Sequence, residues 1–412
     1  MIKNLLARNS LMFLYTLVLI GLIYGVYVTS GSKYFGGVFL YGFSLLVFYV
    51  LFNLPSVNRL MFERLKLPSL LKFNFSIYWL LIPTVLIIIV HLTMLGGIPT
   101  LKALDYTYIE DVADYRNSIT YDSPKWILYL ASISLKSSLP FIILYLLYKD
   151  IKWLYWIILI VGAIYSVSLI QKSFIVGLVL PAMVYCVVKR RYLFVAKYLA
   201  MIFIGVIGLT YAGNPPGGND PNRRNGPSTV VMDEEGNPIT VNSKQVTLIT
   251  DETSKLGRIV LGLVDRLFVV PGQVVSDWFE VIPEKKPFLY GDGYRVLAMI
   301  RGRTYHNYAR ELYPIIQTEF AAMGLTGSVN VASFMYEYSN FGMPGLVLSG
   351  FLLALVLSWV EYFFRNDLIL KLCLCMFPIF MLSSGAITTW LFSGGFGFTL
   401  LYFAIFLRKK NV

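Results

Sequence analysis

Ten apolar runs constrain this chain more than any other feature of its sequence: about 11–28, 37–54, 75–95, 126–148, 153–170, 173–188, 192–212, 343–364, 368–383 and 386–407. A bilayer core about 30 Å thick takes about 20 apolar residues of helix. Lipid offers a backbone N–H or C=O no partner, so a run of that length satisfies its own polar groups by coiling into a helix. The pattern predicts an all-α polytopic integral membrane protein with about ten transmembrane helices. The fifth and sixth runs are short and share a tight turn, which predicts a helical hairpin.

Composition agrees: 57% of the 412 residues are hydrophobic and 14% charged, against about 25% charged in soluble domains. That excludes an ordinary soluble enzyme, a disordered tail and a disulfide-stapled secreted domain. Cys186, Cys373 and Cys375 all fall in apolar stretches and define no disulfide framework. The net charge of +12 would suit nucleic acid if the basic residues formed one patch, but they punctuate the ends of the apolar runs instead.

Those basic residues orient the spans. Lys3 and Arg8 precede the first; Arg59, Arg64, Lys66 and Lys72 follow the second; Lys149 and Lys152 follow the fourth; Lys189, Arg190 and Arg191 follow the sixth. Arg365 and Lys371 follow the eighth, and Arg408, Lys409 and Lys410 close the chain. With ten spans all lie on one side, the cytoplasm, together with both termini. The first run has no small-residue cleavage site and reads as a retained helix. The chain then divides into a membrane bundle over 1–212, a large extracytoplasmic loop over 213–342 and a second bundle over 343–412. A smaller outer segment, about 96–125, is rich in acidic residues. No internal repeat is visible, which argues against transporters built from repeated halves.

The large loop opens on Gly213-Asn214-Pro215-Pro216-Gly217-Gly218-Asn219-Asp220-Pro221, a linker composition. Two β-favouring runs, Ser228–Met232 and Ile239–Val241, predict a small hairpin. Leu256, Ile259, Val260, Leu263, Leu267 and Phe268 form a helical stripe, with Arg258, Asp265 and Arg266 elsewhere on the helix. This amphipathic helix suits the membrane surface, and Pro271 is expected to kink or end it. After the turn-rich Pro287–Gly293, Arg295, Arg301, Arg303, His306 and Arg310 are interleaved with Tyr294, Tyr305, Tyr308 and Tyr313. Guanidinium groups bind phosphate oxygens two at a time and aromatic rings pack on sugar faces, so the mixture suits a diphosphate with sugars attached. A surface paired with Glu311 and Glu319, or contact with anionic lipid headgroups, would use the same residues. The position beside the membrane favours the first reading.

An ionisable group inside a span is costly and so informative. Lys136 lies about ten residues into the fourth run, flanked by Ser132, Ser134, Ser137 and Ser138, which predicts a functional or ion-paired role. Lys172 falls in the turn between the fifth and sixth runs, and His91 near the outer end of the third; both can snorkel. No GxxxxGK[ST], HExxH, CxxC or D-x-D pattern is present. An enzyme of this composition uses no metal or other cofactor and needs a donor that is already activated.

Leu263–Gly291 reads LVDRLFVVPGQVVSDWFEVIPEKKPFLYG, and Thr326–Gly345 reads TGSVNVASFMYEYSNFGMPG, running into the eighth apolar stretch. An Arg-led helix ending in PFLYG, followed by a Y-x-NFG-x-x-G entry to a membrane helix, resembles the Wzy-type bacterial oligosaccharide repeat-unit polymerases that lengthen O-antigen. In related sequences an acidic residue often stands two before the tyrosine; here that position is Tyr336 and Glu337 is displaced by one. The resemblance implies a GT-C-like membrane fold and a metal-independent glycosyl transfer between undecaprenyl-diphosphate-linked oligosaccharides at the outer face of the bacterial inner membrane. It also implies a chain-length regulator as partner, with membrane lipids around and no nucleic acid.

Under that resemblance Arg266 is the first candidate for diphosphate contact, followed by Arg258, Arg301, Arg303 and Arg310. Lys136, Lys172 and Tyr305 are further candidate substrate contacts. His306, Glu319 and Glu337 are alternative catalytic bases or proton donors, and Asn340, Gly342 and Gly345 have structural roles. The nearest rival activity is an O-antigen ligase using the same donor. A flippase or transporter would concentrate its ionisable residues along the spans, and a structural scaffold would leave Lys136 and the Arg/His/Tyr cluster without a purpose.

Overall fold

The computed structural model describes residues 8–63, 75–121, 123–215 and 265–407. The β-hairpin expected over 228–241, Arg258 and most of the Leu256–Phe268 stripe lie outside the described residues. Among those described there is no strand. The apolar runs become helices α1 (Ser10–Ser30), α2 (Phe35–Asn53), α3 (Tyr78–Met94), α4 (Lys125–Tyr148), α5 (Lys152–Ser168), α6 (Lys172–Val188) and α7 (Tyr192–Gly213). The loop contributes α8 (Val270–Val281), α9 (Arg295–Ile300) and α10 (Ser333–Phe341). The C-terminal runs give α11 (Met343–Phe363), α12 (Leu368–Met381) and α13 (Ile387–Leu407). Seven helices are long and apolar enough to cross a membrane, and α5, α6 and α12 are apolar but shorter. The protein is a multi-pass helical membrane protein.

The chain forms two compact units, each assembled from separated segments. The first comprises Met1–Leu65, Asn225–Arg365 and Ile379–Ile387; the second comprises Lys66–Arg224, Asn366–Pro378 and Thr388–Val412.

In the first unit α2 packs along α11, and α8 packs across α1. The second crossing is a backbone contact: a Cβ on Gly272 would stand 2.5 Å from the backbone of Gly25. Small residues permit this approach, which drives helix association where lipid supplies no hydrophobic force. Pro271 does not end a helix. It stands in the first turn of α8, where a missing N–H costs nothing, and the preceding Asp265–Val269 is a π-helical turn running into it. At the other end of α1 the Leu11 N–H donates to Glu361 Oε1 at 2.6 Å, a buried carboxylate capping an otherwise orphaned amide.

Helix α10 doubles back on the beginning of α11. Gly342, at φ 65°, makes the turn. Gly345 lies so close to α10 that a Cβ there would fall 2.0 Å from the Glu337 carbonyl oxygen. The start of α10 is held by a Ser333 N–H to Leu382 carbonyl bond of 2.9 Å, and Phe334 stacks on Tyr41 of α2 with centroids 4.3 Å apart.

In the second unit α5 and α6 form the expected hairpin. Its turn holds Ile170 at φ 56°, a strained setting for a β-branched residue worth about 1–3 kcal/mol. Ile170 is buried with Ala103, Val112 and Ile119, and burial of such a side chain returns a comparable amount. Two spans are irregular. Pro140 has no N–H to give the Lys136 carbonyl, and α4 widens there into a π-helical segment, Ser134–Ser138, with Leu139 N–H bonded to Ser134 C=O. Helix α13, expected as one run, breaks at Phe392–Gly395, where Gly395 adopts φ 82°.

Candidate functional site

The two sequence stretches that end in PFLYG and contain Y-x-NFG fold against each other. The N–H groups of Leu289 and Tyr290 donate to the carbonyls of Ser339 and Asn340 at 2.9 and 2.8 Å. Asn340 Oδ1 accepts the N–H groups of Gly291 and Gly293 at 3.2 and 3.1 Å, while its Nδ2 donates to the Tyr336 carbonyl at 2.8 Å. The Tyr338 hydroxyl reaches the Ile282 carbonyl at 3.0 Å. The loop turn and α10 are thereby one element, fixed at the start of α11.

Glu337 lies buried inside that element. Its Oε1 accepts the Tyr294 hydroxyl at 3.2 Å, and its Oε2 has no hydrogen-bond partner among the described residues. Burial pushes the carboxyl up to about 7, against the opposing pull of its own backbone amide and of the hydroxyls of Tyr294 and Ser349. Desolvation also raises the phenol of Tyr336 to about 12 and that of Tyr294 further, the latter with the Glu337 carboxylate acting in the same direction. The Ser349 hydroxyl lies close enough to the Glu337 carboxyl to pull on it and Ser333 lies beside Tyr15 and Tyr41, though neither hydroxyl reaches full hydrogen-bonding geometry with a described residue. Tyr15 and Tyr41 close the inner side, sharing a hydroxyl–hydroxyl bond of 2.6 Å. Buried polar atoms are nearly always paired, so a buried carboxylate oxygen without a partner among the described residues is an acceptor still available to a further polar group.

Asp292 organises the turn above. Its carboxylate takes Arg301 at 3.2 Å and Arg303 at 3.4 Å, and its carbonyl accepts the His306 N–H at 3.1 Å. Arg301 also donates to the Tyr290 carbonyl. Two guanidiniums share one carboxylate, so the cluster keeps a net positive charge. Arg295 lies over the Tyr305 ring, 5.2 Å from its centroid. His306 Nδ1 approaches Glu311 at 3.3 Å, and Glu311 also caps the Asn307 N–H at 2.9 Å.

The candidates named from sequence therefore separate. Glu337 is buried beside Tyr294; Arg301, Arg303 and His306 gather on Asp292; Tyr305 carries Arg295. Arg266 is exposed on the turn that leads into α8, Arg310 is exposed after His306, and Glu319 is exposed on the short helix Thr318–Ala322. Lys136 and Lys172 belong to the second unit. Lys172 opens α6. Lys136 lines a small cavity with Ser137, Phe141, Gly177, Phe377 and Thr399. Ser137 and Thr399 share a 2.8 Å hydrogen bond, and no hydrogen bond or ion pair joins the Lys136 ammonium to another described residue. His91 does not snorkel: it is buried, with Nδ1 2.7 Å from the Tyr165 hydroxyl.

Sequence reading missed Asp292 as the organiser of the cluster, and missed Tyr15 and Tyr41. Asp292 carried a signal in its Gly-Asp-Gly setting; the tyrosines sit in apolar runs and carried none. Among the described residues no group of three His, Cys, Asp or Glu side chains could hold a metal ion. Comparison with protein-family models, curated proteins and solved structures finds no match to this chain.

Proposed function

We propose that the chain is a polymerase that joins oligosaccharide repeat units carried on undecaprenyl diphosphate into a surface polysaccharide at the outer face of the bacterial inner membrane. On this reading all ten apolar helices cross the bilayer, both termini are cytoplasmic and the loop faces the periplasm. Helix α10 packs on the start of α11, at the outer end of that span.

The observation that carries the reading is Glu337, a buried carboxyl near neutrality with one free oxygen, on an element that also carries the Asp292–Arg301–Arg303 cluster. A general base works best with a pKa near the working pH. A hydroxyl of the acceptor repeat unit gives its proton to Glu337 as its oxygen attacks the anomeric carbon of the donor glycan. The bond from that carbon to the diphosphate breaks, and undecaprenyl diphosphate leaves with the electron pair. Fixed guanidiniums stabilise the developing negative charge, as metal ions do elsewhere. Burial and its raised carboxyl favour Glu337 over His306 and exposed Glu319 as the base. Arg266, on the Arg-led stretch, remains a candidate diphosphate contact beside Arg301 and Arg303.

The test is the surface-glycan banding pattern of a deletion strain complemented with wild type, Glu337→Gln or Arg266→Ala. The reading expects core capped by a single repeat unit in the deletion strain and a ladder restored by wild type alone. Loss of all capping with accumulation of lipid-linked polymer would instead identify a ligase. A normal ladder with Glu337→Gln would remove Glu337 from the chemistry.

A further inference from the structure

Helix α9 is held at the mouth of a span with its apolar side uncovered. It is only six residues long and buries Ala298 alone, leaving Val296 62%, Leu297 42%, Met299 72% and Ile300 72% exposed. A helix this short has no stability of its own in water, and the described residues leave four large apolar side chains uncovered on its surface. Its level relative to the bilayer is set by the hydrogen bonds already described. Leu289 and Tyr290 are bonded to the last turn of α10, and Asn340 holds the amides of Gly291 and Gly293. Two residues after Asn340 the chain turns at Gly342 and enters α11 at Met343. Arg295 therefore starts α9 within a few residues of the point where a candidate span begins.

The flanks have the composition of a membrane–water boundary. Tyr290 is exposed before the helix, and Arg301, Arg303 and Tyr305 follow it. Asp292 offsets only part of the positive charge. Long cationic side chains beside a short apolar face are how a peripheral helix lies in the headgroup layer. A protein partner would have to cover a face of four side chains, well short of the roughly 800 Å² that each side of a stable interface buries.

We infer that α9 is a bilayer anchor: Val296, Leu297, Met299 and Ile300 enter the edge of the hydrocarbon beside α11, and Arg301 and Arg303 bind the phosphates of anionic phospholipids at headgroup level. The inference does not rest on glycosyl transfer; should the chain use undecaprenyl diphosphate, that lipid phosphate meets the same two arginines at the same headgroup level, displacing a phospholipid during turnover.

Spin labels on Met299→Cys, Ile300→Cys and Thr304→Cys test it in the full chain. The protein is reconstituted in vesicles of phosphatidylethanolamine with phosphatidylglycerol, or of phosphatidylcholine alone. The native cysteines are buried, and wild type serves as the labelling blank. At 299 and 300, collisions with oxygen should exceed those with a water-soluble nickel chelate several-fold, and at 304 the order should reverse. Labels at 299 and 300 should lie deeper with phosphatidylglycerol present, a difference lost when Arg301→Gln and Arg303→Gln are combined. Nickel access at 299 and 300 equal to that at 304 would place α9 in water and overturn the anchor. Shielding from both reagents would mean that protein covers the face, and would overturn it too. A depth indifferent to phosphatidylglycerol would overturn the headgroup assignment.

Discussion

The Tyr294 hydroxyl stands 3.2 Å from Glu337 Oε1, so a carboxyl with almost no access to water has one fixed donor and one free oxygen. Burial raises that carboxyl, and the tyrosine hydroxyl opposes the rise.

Its first consequence is for stability. The folded carboxyl titrates near 7, whereas an unfolded glutamate titrates near about 4.3. Between those values the folded state holds a proton that the unfolded state has lost, so this contribution to stability is complete below about pH 4 and falls as pH rises to about 7. The loss is on the order of 3 kcal/mol. In purified wild-type protein Tm should decline from pH 5 to pH 7.5, while Glu337→Gln should flatten that slope. Parallel slopes in the two proteins would show that the carboxyl is not raised.

Activity should run the opposite way. The carboxylate form accumulates as pH climbs toward 7, so the acid limb of a polymerisation assay should follow it. Tyr294→Phe removes a donor that pulls the carboxyl down, so the limb should move to higher pH by less than about one unit. A shift to lower pH, or none, would mean that another group controls the limb.

How much of this could be read from sequence depends on which property decides each feature. Helices are decided by local hydropathy: seven of the expected runs give helices long and apolar enough to cross a membrane, although α13 among them breaks at Phe392–Gly395, and α5, α6 and α12 are shorter. The pairing of the helices is not legible, because α1, α2 and α11 are apolar on every side and single glycines such as Gly25, Gly272, Gly345 and Gly350 mark where backbones meet. Pro271 misled because a proline that ends one helix and a proline that begins the next look alike without the preceding turn. Helix α10 is not legible as a helix, since SFMYEYSNF is short and mixes polar with apolar residues. His306, Glu319 and Glu337 were equivalent candidates in sequence; burial separates them, and burial is a tertiary property.

Asn340 offers a sharper structural test. Its side chain alone accepts the amides of Gly291 and Gly293 and returns a bond to Tyr336. Asn340→Ala leaves those groups unpaired, at a cost of about 2–3 kcal/mol. Limited proteolysis should then cut between residues 291 and 303 faster than in wild type. Asn340→Asp keeps the acceptor and should recover most of the protection; equal protection in all three proteins would show that the turn is held by other contacts.

Lys136 separates stability from function most cleanly. Its ammonium lies within the 24-residue apolar helix α4, beside Ser137 and Thr399, which already bond each other at 2.8 Å. A buried charge without a paired counter-charge is a net cost that an apolar side chain of similar length avoids. Lys136→Met should therefore raise stability by about 1 kcal/mol or more, read as a higher Tm in detergent or in vesicles. If the lysine contacts an anionic substrate, polymerisation should fall in the same variant, so that the two measurements move in opposite directions. A lower Tm would show that the ammonium is stabilised where it lies and would refute the cost assigned to it. A higher Tm with unchanged polymerisation would remove Lys136 from the substrate path.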